Sequence, residues 1–289
     1  METFNSILNE YSINSDVKKR QDIIEKIEEN LGGNVLLYVA NFQHPMNSID
    51  YMDIRPVEDA LISFKPESNI IFIMNSPGGI IDIADKIVRM IKSLKSSKFT
   101  FVVPSAAKSA ATMIALASDE IIMGEVSELG PIDPQIRIGE QYLSALSYTG
   151  ILDRIKKWVF VEKQPLDLYK QLLIQIKPEM YEQCQMAMDH SKDLVFNYLK
   201  NGALKEKSKE DIDKIVTWLS TLPSHGKVIT ADDAITNNLF FVKKLGRREP
   251  LWAEIWELFC RAEFYMENTK SVKLIQTKES SLAISAGVK

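Results

Sequence analysis

An α/β fold is predicted, on three observations. Apolar runs with strand character, Asn34 to Phe42 (NVLLYVANF), Asn69 to Met74 (NIIFIM) and Phe99 to Val103 (FTFVV), alternate with segments of helical period. Each run is apolar on both parities, as in strands covered on both faces. Glycine and proline fall between the runs, at Gly32-Gly33 and at Asn75-Ser76-Pro77-Gly78-Gly79, rather than within them.

The elements follow in order. A helix capped by Ser15 places Ile23, Ile24, Ile27 and Leu31 on one face and stops at Gly32-Gly33. Arg55 to Phe64 is a helix with Pro56 in its first turn. Ile80 to Leu94 sets Ile80, Ile83, Ile87, Ile91 and Leu94 at helical spacing. Ser109 to Ser118 is a short helix of small residues that can approach its neighbours closely, and Glu120 to Met123 is a fourth strand. From Gln141 to Leu199 the pattern is mainly helical, broken at Pro165 and Pro178, and another helix runs from Lys209 to Leu222. The sheet is expected to be largely complete before this arm. Asp232 to Asn237 is a helical turn, Phe240 to Lys243 a final strand, and Trp252 to Met266 an amphipathic helix. The last 20 or so residues read as a docked or frayed tail. The expected division is an N-terminal helical segment 1–33, a domain 34–246 that includes the helical arm 141–222, and a C-terminal helix and tail 247–289.

Composition narrows the function. Lys+Arg 35 against Asp+Glu 39 gives a net charge of −4, which excludes a basic protein that coats nucleic acid. With 45% hydrophobic and 26% charged residues the 289-residue chain can bury a sizeable core, so disorder is excluded. Cys184 and Cys260 have no C-x-x-C or Cys/His cluster beside them, so neither a disulfide framework nor a metal site is expected. No window reaches the roughly 18 to 20 apolar residues of a membrane span, and METFNSILNEYS lacks the regions of a signal peptide. A cytoplasmic protein with no cofactor is the expectation.

Two strand-to-helix turns carry the candidate chemistry. Gly78-Gly79 follows a buried strand, where open α/β sheets place ligands, and paired glycines let backbone N–H groups face a ligand oxygen. A plain tight turn has the same signature. It is no phosphate-cradling P-loop, which needs G-x-x-x-x-G-K-[ST]. Ser109 opens the helix after the next strand, where free N–H groups and the positive end of the dipole stabilise an oxyanion; a capping serine reads identically. The pair together offers a nucleophile with the Ala110 amide from one turn and the Gly78 or Gly79 amide from the other.

NSPGG, followed about 30 residues later by AAKSAATMIALASDEIIMGEVSELGPIDPQI, resembles the core of the Clp-protease and signal-peptide-peptidase A class of serine peptidases, and within it most resembles the serine dehydrogenase proteinase family. The likeness runs from Asn34 to Ile138, with a weaker return at Ser224 to Leu239. It implies a Clp/crotonase-like β-superhelix, a serine nucleophile at Ser109, an oxyanion hole from Gly78, Gly79 and Ala110, and a homo-oligomer enclosing sites that act on a peptide or protein. The Clp pattern has histidine where this chain has Asp133, in Pro131-Ile132-Asp133-Pro134, and has its acid near the place of His225. The two roles are therefore expected to have exchanged positions, with Ser109, His225 and Asp133 in one cluster. The dyad relatives use a lysine, for which Lys156, Lys157 and Lys163 have roughly the right spacing, although each also reads as a solvated helix-face charge. Lys108 is expected to point away from the serine.

The remaining candidates have plainer readings. His44 is a loop residue, and His190 forms an exposed pair with Asp189. Met180, Met186 and Met188 with Tyr181 pack a helix, and the Trp252, Trp256 and Phe259 stripe is core or subunit contact. Two other functions are carried. A crotonase-type acyl-CoA enzyme would use the paired amides without a nucleophile, and an inactive scaffold would not need Ser109 at all.

Overall fold

The computed structural model describes residues 13–65, 67–94, 98–138 and 141–285. Seven strands form the central sheet: β1 (Gly33–Ala40), β2 (Asn69–Asn75), β3 (Phe99–Val103), β5 (Glu120–Met123), β9 (Val242–Lys244), β10 (Ser271–Gln276) and β11 (Ser281–Ser285). Their order is β11-β10-β1-β2-β3-β5-β9. From β1 to β9 the pairs are parallel, and β10 and β11 add an antiparallel edge. β4 (Ala106–Ala107) and β6 (Glu128–Leu129) form a second, two-stranded sheet, and β7 (Gln135–Ile138) pairs with β8 (Gln141–Ser144).

The two-parity apolar pattern has a direct cause: each strand feeds two cores. Leu36, Tyr38, Ile70, Phe72, Met74, Phe101 and Val103 face the helices α2 (Ile54–Ile62), α3 (Ile81–Ser93) and α4 (Ala110–Leu116). Val35, Leu37, Val39, Ile71, Ile73 and Val102 alternate with them and face α1 (Ile13–Leu31) and α10 (Pro250–Thr269). On the first face the rings of Tyr38, Phe72 and Phe101 meet edge to face, 6.5 and 5.7 Å apart. Gly32, at φ +68°, ends α1 in the left-handed conformation that glycine tolerates, as the sequence predicted.

The arm comprises α5 (Ala145–Lys156), a π-helical turn Lys157–Val161, α6 (Lys170–Gln175), α7 (Pro178–Asn201) and α8 (Lys209–Ser220); α9 (Ala231–Thr236) follows. Its start departs from expectation, since Gln141–Ser144 is a strand of a hairpin and the helix begins at Ala145. α1 begins at Ile13, so Ser15 lies inside it instead of capping it. Residues 1–12 of the expected N-terminal segment lie outside the described residues. Ile80 is exposed where the periodicity placed it inward, because α3 starts one residue later.

The C-terminal expectation needs the largest correction. The sheet is not complete before the arm, β9 is not its final strand, and the expected tail is β10 and β11, with β10 paired to β1 through Leu37↔Gln276 and Val39↔Leu274. SVKLIQ does not read as a strand because Lys273 interrupts its apolar run. That lysine is nonetheless buried, since its Nζ lies 2.9 Å from both carboxylate oxygens of buried Asp53 and 3.2 Å from Asp50 Oδ2. Burial raises the Asp53 carboxyl above its ordinary value, while the Lys273 ammonium pulls it down.

Candidate active site

The two strand-to-helix turns are tied to each other. Asn75 Oδ1 accepts from the Ala106 amide at 2.9 Å, the Ser76 amide donates to Ala106 O at 2.9 Å, and the Lys108 amide donates to Ser76 O at 3.0 Å. Gly78 has φ +97°, and a Cβ there would stand 2.5 Å from Lys108 O and 2.8 Å from Ser109 Cβ. Only glycine lets the backbone come this close to the serine. Gly79, at φ +156°, is packed in the same way on the Ile49 backbone.

Ser109 is the residue before α4, at φ +51° and ψ −118°, a conformation that is uncommon for a residue with a side chain. Its side chain makes no capping hydrogen bond, so the plain capping reading does not hold. Among the described residues its Oγ has no hydrogen-bond partner, and neither the Ala110 nor the Gly79 amide has an acceptor. The Gly78 amide donates to Ser76 Oγ at 3.1 Å.

The third part comes from two distant loops. The Leu129 amide donates to Ile229 O and the Ile229 amide to Leu129 O, at 2.9 and 3.1 Å, which brings the turn at 224–227 beside the turn at 130–134. His225 Nδ1 then lies 3.0 Å from Asp133 Oδ1. A carboxylate only accepts, so Nδ1 carries the proton and Nε2 is left as the basic nitrogen. Asp133 is 3% exposed and His225 25% exposed, so the acid is shielded and the imidazole keeps access to solvent. Ser144 Oγ donates to the other oxygen, Asp133 Oδ2, at 3.0 Å, while also capping α5 through the Ser147 amide at 3.2 Å. Sequence reasoning missed Ser144. Its capping position was legible, but nothing in the sequence ties it to Asp133. No hydrogen bond joins Ser109 Oγ to His225.

The lysine candidates lie elsewhere. Lys156 pairs with Asp153 at 3.5 Å and Lys157 with Glu162 at 3.7 Å, and both lysine side chains are 67% exposed. Neither side chain is buried beside Ser109; each is paired with a carboxylate at the protein surface. Lys163 is exposed as well. Lys108 points away from the serine, to Glu128 at 2.9 Å and Leu129 O at 3.2 Å. His44 Nδ1 accepts from the Met46 amide in an exposed loop. His190 is exposed but pairs with Asp82 at 3.0 Å rather than with its neighbour Asp189. Met188 is buried and Met180 packs beside it, whereas Met186 is exposed. Trp252 and Phe259 are core, with Trp256 half-buried against them. Cys184 and Cys260 are buried free thiols, and burial pushes Cys260 up to about 12. Among the described residues no group of side chains has the make-up of a metal site, and no helix is long and apolar enough to cross a membrane.

Two uncharacterized proteins of Methanocaldococcus jannaschii are similar to this chain. MJ1495 is 29% identical over 221 residues, 72% of this chain and 68% of the relative. MJ0137 is 30% identical over 186 residues, 63% of this chain, and the match spans 56% of the relative's own length. Among solved structures, a mutant of ClpP1 from Listeria monocytogenes aligns over 81% of this chain and 98% of that one, with 16% identity and a TM-score of 0.42. A mutant of the 1510-N membrane-bound stomatin-specific protease aligns over 70% and 76%, with 14% identity and a TM-score of 0.42. The family model of ClpP-like SDH-type serine proteinases matches residues 4–247, from α1 through the last parallel strand and including every residue of both turns and of the His225–Asp133 pair. The chain belongs to the ClpP-like SDH-type serine proteinase family.

Proposed function

We propose that the protein hydrolyses peptide bonds through an acyl-enzyme on Ser109, with His225 as general base and Asp133 as its orienting acid. The observation that carries the reading is the 3.0 Å contact between His225 Nδ1 and Asp133 Oδ1, which turns Nε2 into the basic nitrogen. Ser109 Oγ gives its proton to that nitrogen as it bonds to the substrate carbonyl carbon. The tetrahedral oxyanion takes up the free Ala110 amide and an amide of the Gly78-Gly79 turn. Collapse expels the amine with the proton from the imidazolium, and water, deprotonated by His225 in turn, releases the acid. Gly79 is the turn amide without an acceptor; Gly78 would exchange its bond to Ser76 Oγ for the oxyanion. The Ser109 to His225 hydrogen bond forms on substrate binding, since such bonds are often long without substrate.

The strained Ser109 backbone supports the same reading, because strain at a helix start persists where the surrounding structure holds it for function. The protein is also read as a homo-oligomer. The arm exposes the large apolar side chains of Phe160, Val161, Leu168 and Ile174, which contact with a second copy of the chain would cover. An alkyl fluorophosphonate tests the mechanism: it should label Ser109, and Ser109→Ala should lose both label and peptide hydrolysis. Hydrolysis by Ser109→Ala at the parental rate would overturn it.

A further inference from the structure

The Gly78-Gly79 turn is held by more than its own bond to Ser76 Oγ and its ties to the serine turn. Its glycines lack side chains, and the segment before the Tyr51–Asp53 turn holds it in place: the Ile49 amide donates to Gly78 O at 2.7 Å, and the Ile80 amide donates to Ile49 O at 2.9 Å. Ile49 is fully buried, and a Cβ on Gly79 would come within 2.4 Å of its backbone nitrogen and oxygen. The position of Ile49 is thus transmitted directly to the turn whose amide, with that of Ala110, the proposed reaction draws on.

What fixes Ile49 is the residue after it. The Asp50 amide donates to Asp53 Oδ2 at 2.9 Å, and Asp50 Oδ1 accepts from the Met52 amide at 2.7 Å. Both carboxylates converge on one ammonium, Lys273 Nζ, itself 2% exposed, and Tyr38 O–H donates to Asp53 Oδ2 at 3.1 Å. A buried lysine with two acidic partners has little freedom, because leaving it or the buried Asp53 unpaired in the interior is costly. Lys273 sits on β10, 26 residues past the end of the family match at 247.

We infer that Lys273 is a positioning residue for the oxyanion turn, acting through Asp53 and Asp50 on Ile49 and so on Gly78 and Gly79. The inference rests on the peptidase reading above. It makes β10 part of the machinery rather than only an edge of the sheet. An amide aimed at an oxyanion acts in the transition state and not in the ground-state complex, so loosening it lowers kcat and leaves KM nearly unchanged.

The test uses the full chain and two variants. Lys273→Met combined with Asp53→Asn removes the two buried charges together and leaves only the partly exposed Asp50 carboxylate without its ammonium partner, which favours a folded protein. Asp50→Ala removes only the half-exposed link and decides the matter if the double variant does not fold. Expected are a fall in kcat of about 10- to 100-fold for the double variant and about 3- to 10-fold for Asp50→Ala, with KM within about twofold of the parent. Lys273→Arg should recover part of the loss. Amide hydrogen exchange should rise across 76–81 while β5, at 120–123, stays protected. Parental kcat in the folded double variant, or in Asp50→Ala where the double variant does not fold, overturns the inference, as does unchanged exchange at 76–81. If the parent itself neither takes the fluorophosphonate nor cleaves peptide, the peptidase reading fails instead, and exchange at 76–81 alone then decides whether Lys273 holds the turn.

Discussion

His225 Nδ1 stands 3.0 Å from Asp133 Oδ1 across 92 residues of sequence, and Ser144 Oγ holds the other oxygen of the same carboxylate. The arrangement gives a histidine one defined tautomer and leaves its second nitrogen free for a proton. If it is the base of the proposed reaction, His225→Ala lowers kcat for a peptide substrate by about 10,000-fold or more, and Asp133→Asn by somewhat less. Full activity in His225→Ala with collapse in Lys156→Ala or Lys157→Ala would give the role to a lysine. Single-turnover kinetics on the four variants separates these outcomes.

Ser144→Ala leaves Asp133 with one hydrogen bond fewer and α5 without its cap. The expected cost is about 1 kcal/mol of stability and roughly a 3- to 10-fold loss of kcat, smaller than that of either His225→Ala or Asp133→Asn. A larger loss than that of Asp133→Asn would show that Ser144 does more than orient the acid.

Ser109 makes no capping bond, so Ser109→Ala should change stability by less than about 0.5 kcal/mol while abolishing turnover. Ser109→Gly should be inactive and more stable by about 1 kcal/mol, because glycine adopts φ +51° without strain. Urea denaturation midpoints of the two variants measure both effects.

Gly78→Ala brings a methyl group within 2.5 Å of Lys108 O and 2.8 Å of Ser109 Cβ, at a positive φ that alanine resists. Both turns must shift. A loss of about 2 to 4 kcal/mol and of fluorophosphonate labelling is expected, read by thermal melts and gel fluorescence. Labelling at the parental rate would mean that the turn does not need to touch the serine.

Burial, helped by Glu267, raises the Glu263 carboxyl to about 7. The folded chain therefore holds a proton that the unfolded chain releases near 4.5, so stability falls as pH rises from about 4.5 to 7 and is level above. With partial solvent screening the total is on the order of 2 kcal/mol. Glu263→Gln should flatten this slope and be the more stable protein at pH 8. Urea midpoints at pH 5 and pH 8 that do not differ between the two proteins would refute it.

The sequence by itself determined the parallel strands β1, β2, β3 and β5, the helices between them, the Gly78-Gly79 turn and the serine at the start of α4. These are local features: two-sided apolar runs, helical spacing, and residue types that one turn conformation demands. Tertiary structure alone decided that the C-terminus closes the sheet, because β10 carries a lysine whose burial is intelligible only beside Asp50 and Asp53, some 220 residues earlier. It also decided that Ser144 reaches Asp133, that Lys156 and Lys157 stay in solvent, and that the half-exposed Asp50 joins Lys273 to the turn beside Ser109. Contacts of this kind are set by the geometry of the packed sheet, and a short window of sequence carries no trace of a partner that the fold delivers from elsewhere.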